Sequence, residues 1–278
     1  MISGKARIAG VIGWPVDHSR SPRLQNYWLA RHKIDGAYVP LAVAPDRLEA
    51  AVRGLPALGF AGANVTIPHK EAVIPFLDAI DPVAARIGAV NTIVVQDGRL
   101  HGSNTDGFGF LENLKAGAPT WRADAGPAVV VGAGGAAKAV AWALMDAGVP
   151  ALRIVNRTRA RADRLALALG STASVVDWSA RAEALREAAL VVNTTALGMT
   201  GQPALDLDLT DLPAATVVND IVYQPTETPL LAAARARGNL AVEGIGMLLH
   251  QAQPGFRAWF GVDPAVDADL RQHVLAGD

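Results

Sequence analysis

The sequence predicts an α/β fold of two lobes, each a sheet flanked by helices. Three observations carry that prediction. Apolar runs of strand length alternate with segments of helical period along the chain, the alternation becomes more regular after Ala128, and the Pro- and Gly-containing stretch Ala116 to Pro127 separates the two patterns. Strand–helix–strand alternation implies parallel sheets covered by helices on both faces. The chain has 278 residues, room for one large or two ordinary domains at about 150 residues each.

The elements follow in order. Arg7 to Ile12 reads as a strand. Ser21 is the expected N-cap of the next helix, with Pro22 at its first position and Leu24, Trp28 and Ile34 facing the core. Tyr38 to Val43 reads as a second strand, and Leu48, Val52 and Leu55 mark a second helix. Ala63 to Ile67 is a short third strand, after which Pro68 is expected to open a helix. Asn91 to Gln96 and Arg99 to Gly102 flank Asp97-Gly98, a strong hairpin signal. In the second half, strands are expected at Ala128 to Val131, Arg153 to Asn156, Ser174 to Val176, Leu190 to Asn193 and Val217 to Asp220. Helices are expected at Gly135 to Ala147 and Arg159 to Leu169.

Composition narrows the function classes. Hydrophobic residues make up 51% and charged residues 18%, a balance that builds a core and excludes a disordered chain. Net charge is −1, so nothing global directs the protein to nucleic acid or an anionic membrane. Without cysteine there is no disulfide, thiolate nucleophile or cysteine metal site, and the scattered histidines form no H-x-x-x-H pair, so no metal is expected. The apolar stretch Ile8 to Trp14 is too short for a signal sequence, and Lys138 and Asp146 interrupt Pro127 to Gly148, the most membrane-like run. These features predict a soluble cytoplasmic protein. Three N-x-T triplets, at Asn64, Asn156 and Asn193, fall at expected strand ends and call for an explanation other than glycosylation.

The first chemical motif is Val129-Val-Val-Gly132-Ala133-Gly134-Gly135-Ala136-Ala137, closing a strand and opening a helix. This is the G-x-G-x-x-A form of the dinucleotide fingerprint: Gly132 permits the tight turn, Gly134 admits a pyrophosphate, and Ala137 packs helix on strand. The free N–H groups of the helix start face the phosphates. A dinucleotide unit selective for NAD usually carries an acid about 20 residues further on. Here that region reads Asn156-Arg157-Thr158, with Arg161 one turn later. Arginine forks suit a phosphate, which favours NADP. The alternative is that Arg157, Arg159, Arg161 and Arg164 form a solvated helix face.

The second group surrounds a lysine. Lysine is scarce in this chain, and unlike arginine it can exchange its proton. Lys70 lies in Asn64-Val-Thr66-Ile-Pro-His-Lys70 and Asp106 in Asn104-Thr-Asp106-Gly107, a pairing suited to alcohol–ketone chemistry beside a nicotinamide. Taken singly, each has a plain structural reading: Thr66 and Asn104 as helix caps, Asp106-Gly107 as a turn, Lys70 as a surface residue. His69 is read as structural.

The ordered set is more specific. His18-Ser19-Arg-Ser21-Pro, Asn64 to Lys70, Gly88-Ala-Val-Asn91-Thr and Asn104 to Gly107 are followed by the glycine loop, Asn156-Arg157-Thr158, Tyr223-Gln-Pro and Gly244-Ile-Gly-Met…Gln251. Over essentially its whole length the chain resembles the shikimate dehydrogenases. That resemblance implies reversible NADP-dependent reduction of 3-dehydroshikimate to shikimate, on the route to chorismate and the aromatic amino acids. It implies a substrate lobe over residues 1–106 completed by 244–278, a Rossmann-like NADP-binding lobe over 107–243, and a cleft between them. It further implies that Lys70 and Asp106 are catalytic. Ser19 and Ser21 would take the substrate carboxylate, with Tyr223 nearby, while Thr66, Lys70, Asn91, Asp106 and Gln251 would read the ring hydroxyls and hold the reacting carbon. Gly132, Ala133, Gly134, Gly135, Ala136, Asn156, Arg157, Thr158 and Arg161 would hold the cofactor, with Ile221 and Gly244 lining the nicotinamide.

Ala196 stands in Asn193-Thr-Thr-Ala196, where the family often has serine, and a modest effect on cofactor affinity is the most expected from it. A quinate or aminoshikimate dehydrogenase of the same fold is the closest alternative, and a non-catalytic NADP-sensing regulator is the alternative from another class. Quinate enzymes that prefer NAD commonly carry an acid near the second-strand arginine, and Asn156 to Ala162 contains none. A regulator would not need both Lys70 and Asp106. A monomer or a homodimer is compatible with the sequence.

Overall fold

The computed structural model describes residues 2–276, which divide into two compact units, residues 2–105 with 251–276 and residues 106–250. The first begins with β1 (Arg7–Gly13), α1 (Ser21–Arg31), β2 (Gly36–Ala42), α2 (Leu48–Gly54) and β3 (Phe60–Val65). It continues through β4 (Ala79–Ile80), α3 (Pro82–Ile87), β5 (Thr92–Gln96) and β6 (Arg99–Ser103). The second holds α4 (Asp106–Gly117), β7 (Ala128–Val131), α5 (Gly135–Asp146), β8 (Leu152–Val155), α6 (Arg159–Leu169) and β9 (Ala173–Val176). After these come β10 (Leu190–Asn193), β11 (Val217–Asp220), α7 (Pro229–Ala236) and β12 (Ala241–Val242). The chain then forms α8 (Ile245–Phe260) and α9 (Ala268–Leu275), and from Gln251 onward it belongs to the first unit again.

The second unit is a parallel sheet in the order β12-β11-β10-β7-β8-β9. Its central strands, Ala128–Val131 and Leu190–Asn193, are buried throughout and apolar up to their carboxyl ends because both faces are covered. Alternation sorts them: Ala128, Val130, Leu152, Ile154, Leu190 and Val192 pack with α4, α5 and α6, while Val129, Val131, Val155, Val191 and Val218 pack toward α7 and the loops around Leu185 and Leu205. Helix α4 contributes Phe110 and Leu114 to the first of these clusters. The segment Ala116 to Pro127 therefore lies inside the second unit rather than at its border.

The first sheet, β2-β1-β3-β5-β6-β4, is mixed rather than parallel. β5 runs antiparallel to both β3 and β6, since the two residues Asp97 and Gly98 turn the chain straight back. Both have positive φ, 51° and 74°, as a type I′ turn requires. The C-terminal segment closes this unit by long-range bonds: Trp259 Nε1 donates to Ile93 O (2.9 Å), Trp28 Nε1 to Ala265 O (3.0 Å) and Arg20 Nη1 to Val274 O (2.9 Å).

Two local expectations fail. The N-cap of α1 is Arg20, so Ser21 is already helical, and it is Ser19 Oγ that accepts from the Ser21 N–H (3.3 Å). Ser21 is thereby buried with its side chain on the helix face rather than spent on capping. No α-helix follows Pro68: the Ile67–Pro68 bond is cis, and turns lead to a short 3-10 segment at Ile74–Phe76. Pro75 lacks the N–H that a helix through this stretch would use. No described helix is long and apolar enough to cross a membrane.

Candidate active site

In the first unit, Ser19 and Ser21 lie between β1 and the start of α1, Thr66 and Lys70 on the loop after β3, Asn91 just before β5 and Gln251 in α8. Thr66 directly follows β3, its N–H donating to Ile12 O (2.9 Å) and its carbonyl accepting from His69 N (2.9 Å), so it works as a turn residue and not as a helix cap. His69 is buried, with Nε2 2.7 Å from Val43 O, and ties this loop to the one after β2, consistent with a structural role. Lys70 is half-buried in the same loop, and its carbonyl accepts from Val90 N (2.8 Å), which fixes it beside the Gly88–Asn91 run.

Asn91 is the hub. It is buried, and its Oδ1 accepts from Thr105 N (2.9 Å) and Thr92 Oγ1 (3.0 Å). Its Nδ2 donates to Thr105 Oγ1 (3.0 Å) and Gln251 Oε1 (3.3 Å), and Thr105 Oγ1 donates to Gln251 O (2.8 Å). The structure thus brings together Asn91 and Gln251, which are 160 positions apart in sequence.

Two residues outside the candidate set extend this lattice. Asn64 Nδ2 donates to Asn91 O (3.1 Å) and Thr92 Oγ1 (3.1 Å), and its Oδ1 accepts from Tyr38 OH (2.6 Å). Burial pushes the Tyr38 phenol well above its ordinary pKa, against a hydrogen bond from Ser21 that lowers it, so Tyr38 remains a protonated donor. A continuous path of neutral hydrogen bonds runs Ser21, Tyr38, Asn64, Thr92, Asn91, Gln251. Asn104, the other cap suggested by sequence, gives its amide to Ala89 O (2.9 Å).

In the second unit, Asp106 opens α4 and is buried, with the positive end of the helix beside it. The glycine loop follows β7: Gly132 N donates to Val155 O (2.8 Å), and α5 starts at Gly135 with Gly134 as N-cap. Gly132 has φ +122° and a Cβ there would collide with Thr194 Oγ1, so a side chain is excluded twice over. A cavity of about 250 Å³ lies against this loop, lined by Gly132, Ala133, Gly134, Asn156, Arg157, Trp178, Thr194, Thr195, Ala196, Leu197 and Gln202. None of these residues is acidic. A Cβ at Gly134 or Gly135 would meet no protein atom within 4 Å, which leaves the space above the helix start to a ligand.

The arginines after β8 divide in two. Arg159 is spent on Asp163 (3.0 Å) and Asp177 (2.6 Å), and Asn156 Nδ2 caps the turn through Thr158 O (2.9 Å). Among the described residues, the exposed Arg157 and Arg161 guanidinium groups take part in no hydrogen bond or ion pair. The donor set therefore fits a phosphate-bearing dinucleotide: free backbone N–H groups at a helix start, and two unspent guanidinium forks without a carboxylate beside them.

The far wall of the cavity hangs on a carboxylate that the sequence did not single out. Asp220, at the end of β11, is fully buried and accepts from Asn193 Nδ2 (3.0 Å), Val222 N (3.0 Å) and Thr228 Oγ1 (2.7 Å). Burial pushes its pKa up, and these three bonds pull it down. Asn193 also gives Nδ2 to Leu197 O (3.0 Å) and takes Thr195 N (3.0 Å) and Thr195 Oγ1 (2.7 Å) on its Oδ1. One hub thereby fixes both the Thr194–Leu197 wall and the turn carrying Ile221 and the half-buried Tyr223. Gly244 packs directly against the Ile221–Val222 backbone, where a Cβ would collide, so these two candidates are neighbours.

Comparison with known proteins places this arrangement. Family models match three stretches: a shikimate dehydrogenase substrate binding domain over residues 11–93, shikimate / quinate 5-dehydrogenase over 121–200, and a shikimate 5′-dehydrogenase C-terminal domain over 244–272. The shikimate dehydrogenase (NADP(+)) of Paramagnetospirillum magneticum is 63% identical over 276 residues, covering 99% of this chain and 100% of that protein. The shikimate 5-dehydrogenase of Thermus thermophilus in complex with NADP(H) and shikimate has a TM-score of 0.87 at 38% identity, covering 96% of this chain and 98% of that one. The quinate dehydrogenase of Corynebacterium glutamicum in complex with NAD has a TM-score of 0.88 at 34% identity, covering 98% and 99%.

Proposed function

The chain belongs to the shikimate dehydrogenase family, and we propose that the residues gathered above divide its reaction between substrate recognition, proton transfer and cofactor selection. It is an NADP-dependent oxidoreductase that interconverts 3-dehydroshikimate and shikimate, a step toward chorismate and the aromatic amino acids. NADPH supplies the hydride when bound, and NADP accepts it in the reverse direction.

As hydride reaches the substrate carbonyl carbon, its oxygen gains negative charge. Lys70, as the ammonium, stabilises that charge and delivers a proton from Nζ. In the oxidative direction the neutral amine of Lys70 takes the hydroxyl proton. Asp106 acts with it, accepting from a ring hydroxyl and orienting the lysine. Ser19, Ser21 and Tyr223 donate hydroxyl hydrogen bonds to the substrate carboxylate, and hydroxyls serve an anion well without a full counter-charge. Thr66, Asn91 and Gln251 read the remaining hydroxyls. The Asn91 lattice supports this by holding amide and hydroxyl directions before the substrate arrives, so little ordering is left to be done on binding.

On the cofactor side, Gly132 to Ala136 take the pyrophosphate, and Asn156, Arg157, Thr158 and Arg161 take the adenosine 2′-phosphate, with Ile221 and Gly244 at the nicotinamide end. The observation that carries the preference for NADP is the unspent Arg157 fork on a cavity wall with no acidic residue. The reaction draws on the NADP pool of the cytoplasm, and we place the enzyme there, as a monomer or homodimer.

An absorbance assay of NADPH and NADH formation tests the reading, with shikimate and quinate each offered with NADP and NAD. Fast turnover confined to shikimate with NADP is expected. Turnover favouring quinate or NAD would overturn the roles given to the serines and Arg157 while leaving the Lys70 chemistry standing. Cofactor binding without turnover of either substrate would point to a regulator.

A further inference from the structure

One aromatic side chain stands on the wall of the cavity beside the glycine loop, and neither the glycine motif nor the arginines explain it. Trp178 follows β9 and is half-buried. It packs against the apolar cluster that includes Val129, Val131 and Val155, and the Arg181 guanidinium lies over its ring, 5.0 Å from the centroid. Arg181 is itself held, donating to Trp178 O (2.9 Å) and pairing with Asp206. The preceding residue, Asp177, pairs with Arg159 at 2.6 Å, two positions beyond Arg157. The indole is therefore held by Arg181 and the cluster and tied to the strand end that carries Arg157.

Sheet order says which part of the cofactor meets it. Along the carboxyl ends of the strands the sequence in space is β11, β10, β7, β8, β9, so the residues after them run Ile221, Thr194, Gly132, Arg157, Trp178. With the pyrophosphate at Gly132 and the 2′-phosphate at Arg157, the adenosine half extends toward the β8–β9 side of the glycine loop. We propose that Trp178 is a binding residue for the adenine ring, supplying an aromatic wall that both NADP and NAD would use, while the 2′-phosphate group of residues around Arg157 separates the two. This rests on the dinucleotide reading of the cavity. Base–aromatic stacking is sensitive to removal of the ring and tolerant of another ring in its place.

Calorimetric titration of NADP and NAD into the full chain tests this, using wild type, Trp178→Ala, Trp178→Phe and Arg157→Ala. Trp178→Ala is expected to weaken NADP and NAD by a common factor, about 5- to 150-fold. Trp178→Phe is expected to recover most of that loss, and Arg157→Ala to weaken NADP alone. Unchanged dissociation constants in Trp178→Ala, with Arg157→Ala still selective, would overturn the proposal and leave the phosphate reading intact. A common loss in Trp178→Ala with no selectivity in Arg157→Ala would uphold the proposal and overturn the role of Arg157. A loss in Trp178→Ala that Trp178→Phe does not recover would also count against an aromatic wall. Circular dichroism of each variant confirms that the fold is present.

Discussion

Asn91 in the first unit and Asp220 in the second are both buried hubs that hold site loops in place, yet they use opposite chemistry. Asn91 is neutral, as are its partners Thr92, Thr105 and Gln251 and the Asn64–Tyr38 extension. The side-chain donors of Asn91, Asn64, Thr92 and Thr105 all meet acceptors, and the carboxamide lattice keeps its shape without an ion. Asp220 gathers three donors with no cation among them, and its burial raises the cost of ionisation. Neutral recognition of a polyhydroxylated ring needs fixed hydrogen-bond directions. A dinucleotide wall needs several loops brought to one point, which a carboxylate with two oxygens does from a single strand end.

The largest effect that would sharpen this contrast is at neither hub. Lys70→Ala is expected to lose about 10²–10⁴-fold in kcat, the usual range for a proton-transfer group, with a smaller change in substrate KM. Steady-state kinetics with shikimate and NADP check it, and a variant retaining most of its kcat would remove Lys70 from the role. Next comes Asn91→Ala, which strands the buried Thr105 and Gln251 groups. It should cost about 1–3 kcal/mol in urea unfolding and raise the KM for shikimate more than that for NADP. An unfolding curve matching wild type would mean the lattice re-pairs without its hub.

The smallest effect is the most diagnostic of the difference. Because the folded state raises the Asp220 pKa, folded protein binds the proton at a higher pH than the unfolded chain does. The stability tied to that proton is full below the ordinary carboxylate range and is lost as pH rises through the raised value. The Tm of wild type relative to Asp220→Asn should therefore increase on acidification from neutral pH, whereas Asn91→Ala should show a pH-independent deficit. A wild-type advantage that shrinks on acidification would mean that the three donors outweigh burial.

Much of the second unit could be read directly from the chain. A doubly covered parallel strand needs a continuous apolar run, so Ala128–Val131 and Leu190–Val192 announced themselves, and the glycine loop between β7 and α5 has a steric signature. Asp97-Gly98 likewise declared the hairpin. Less legible were features set by distant partners. Whether Pro68 opens a helix was decided by the turn that Thr66 and His69 make with β1 and the loop after β2. Ser21 read as a cap because capping is local, whereas its burial depends on Tyr38. The three N-x-T triplets were a partial signal. Asn64 lies one residue before the end of β3, Asn193 ends β10 and Asn156 follows β8, and each spends its amide on a neighbouring segment, but only the folded chain shows that Asn193 leads to Asp220. Trp178 had no sequence signal beyond its place after β9.

The division of labour itself is best tested by measuring both dissociation constants, for shikimate and for NADP, in Ser21→Ala and in Arg157→Ala. Ser21→Ala is predicted to weaken shikimate and leave NADP near wild type. Arg157→Ala is predicted to weaken NADP about 10- to 150-fold, the loss of a charge-assisted hydrogen bond, while sparing shikimate and NAD. Equal losses of both ligands in either variant would contradict the assignment of substrate and cofactor recognition to separate sets of residues.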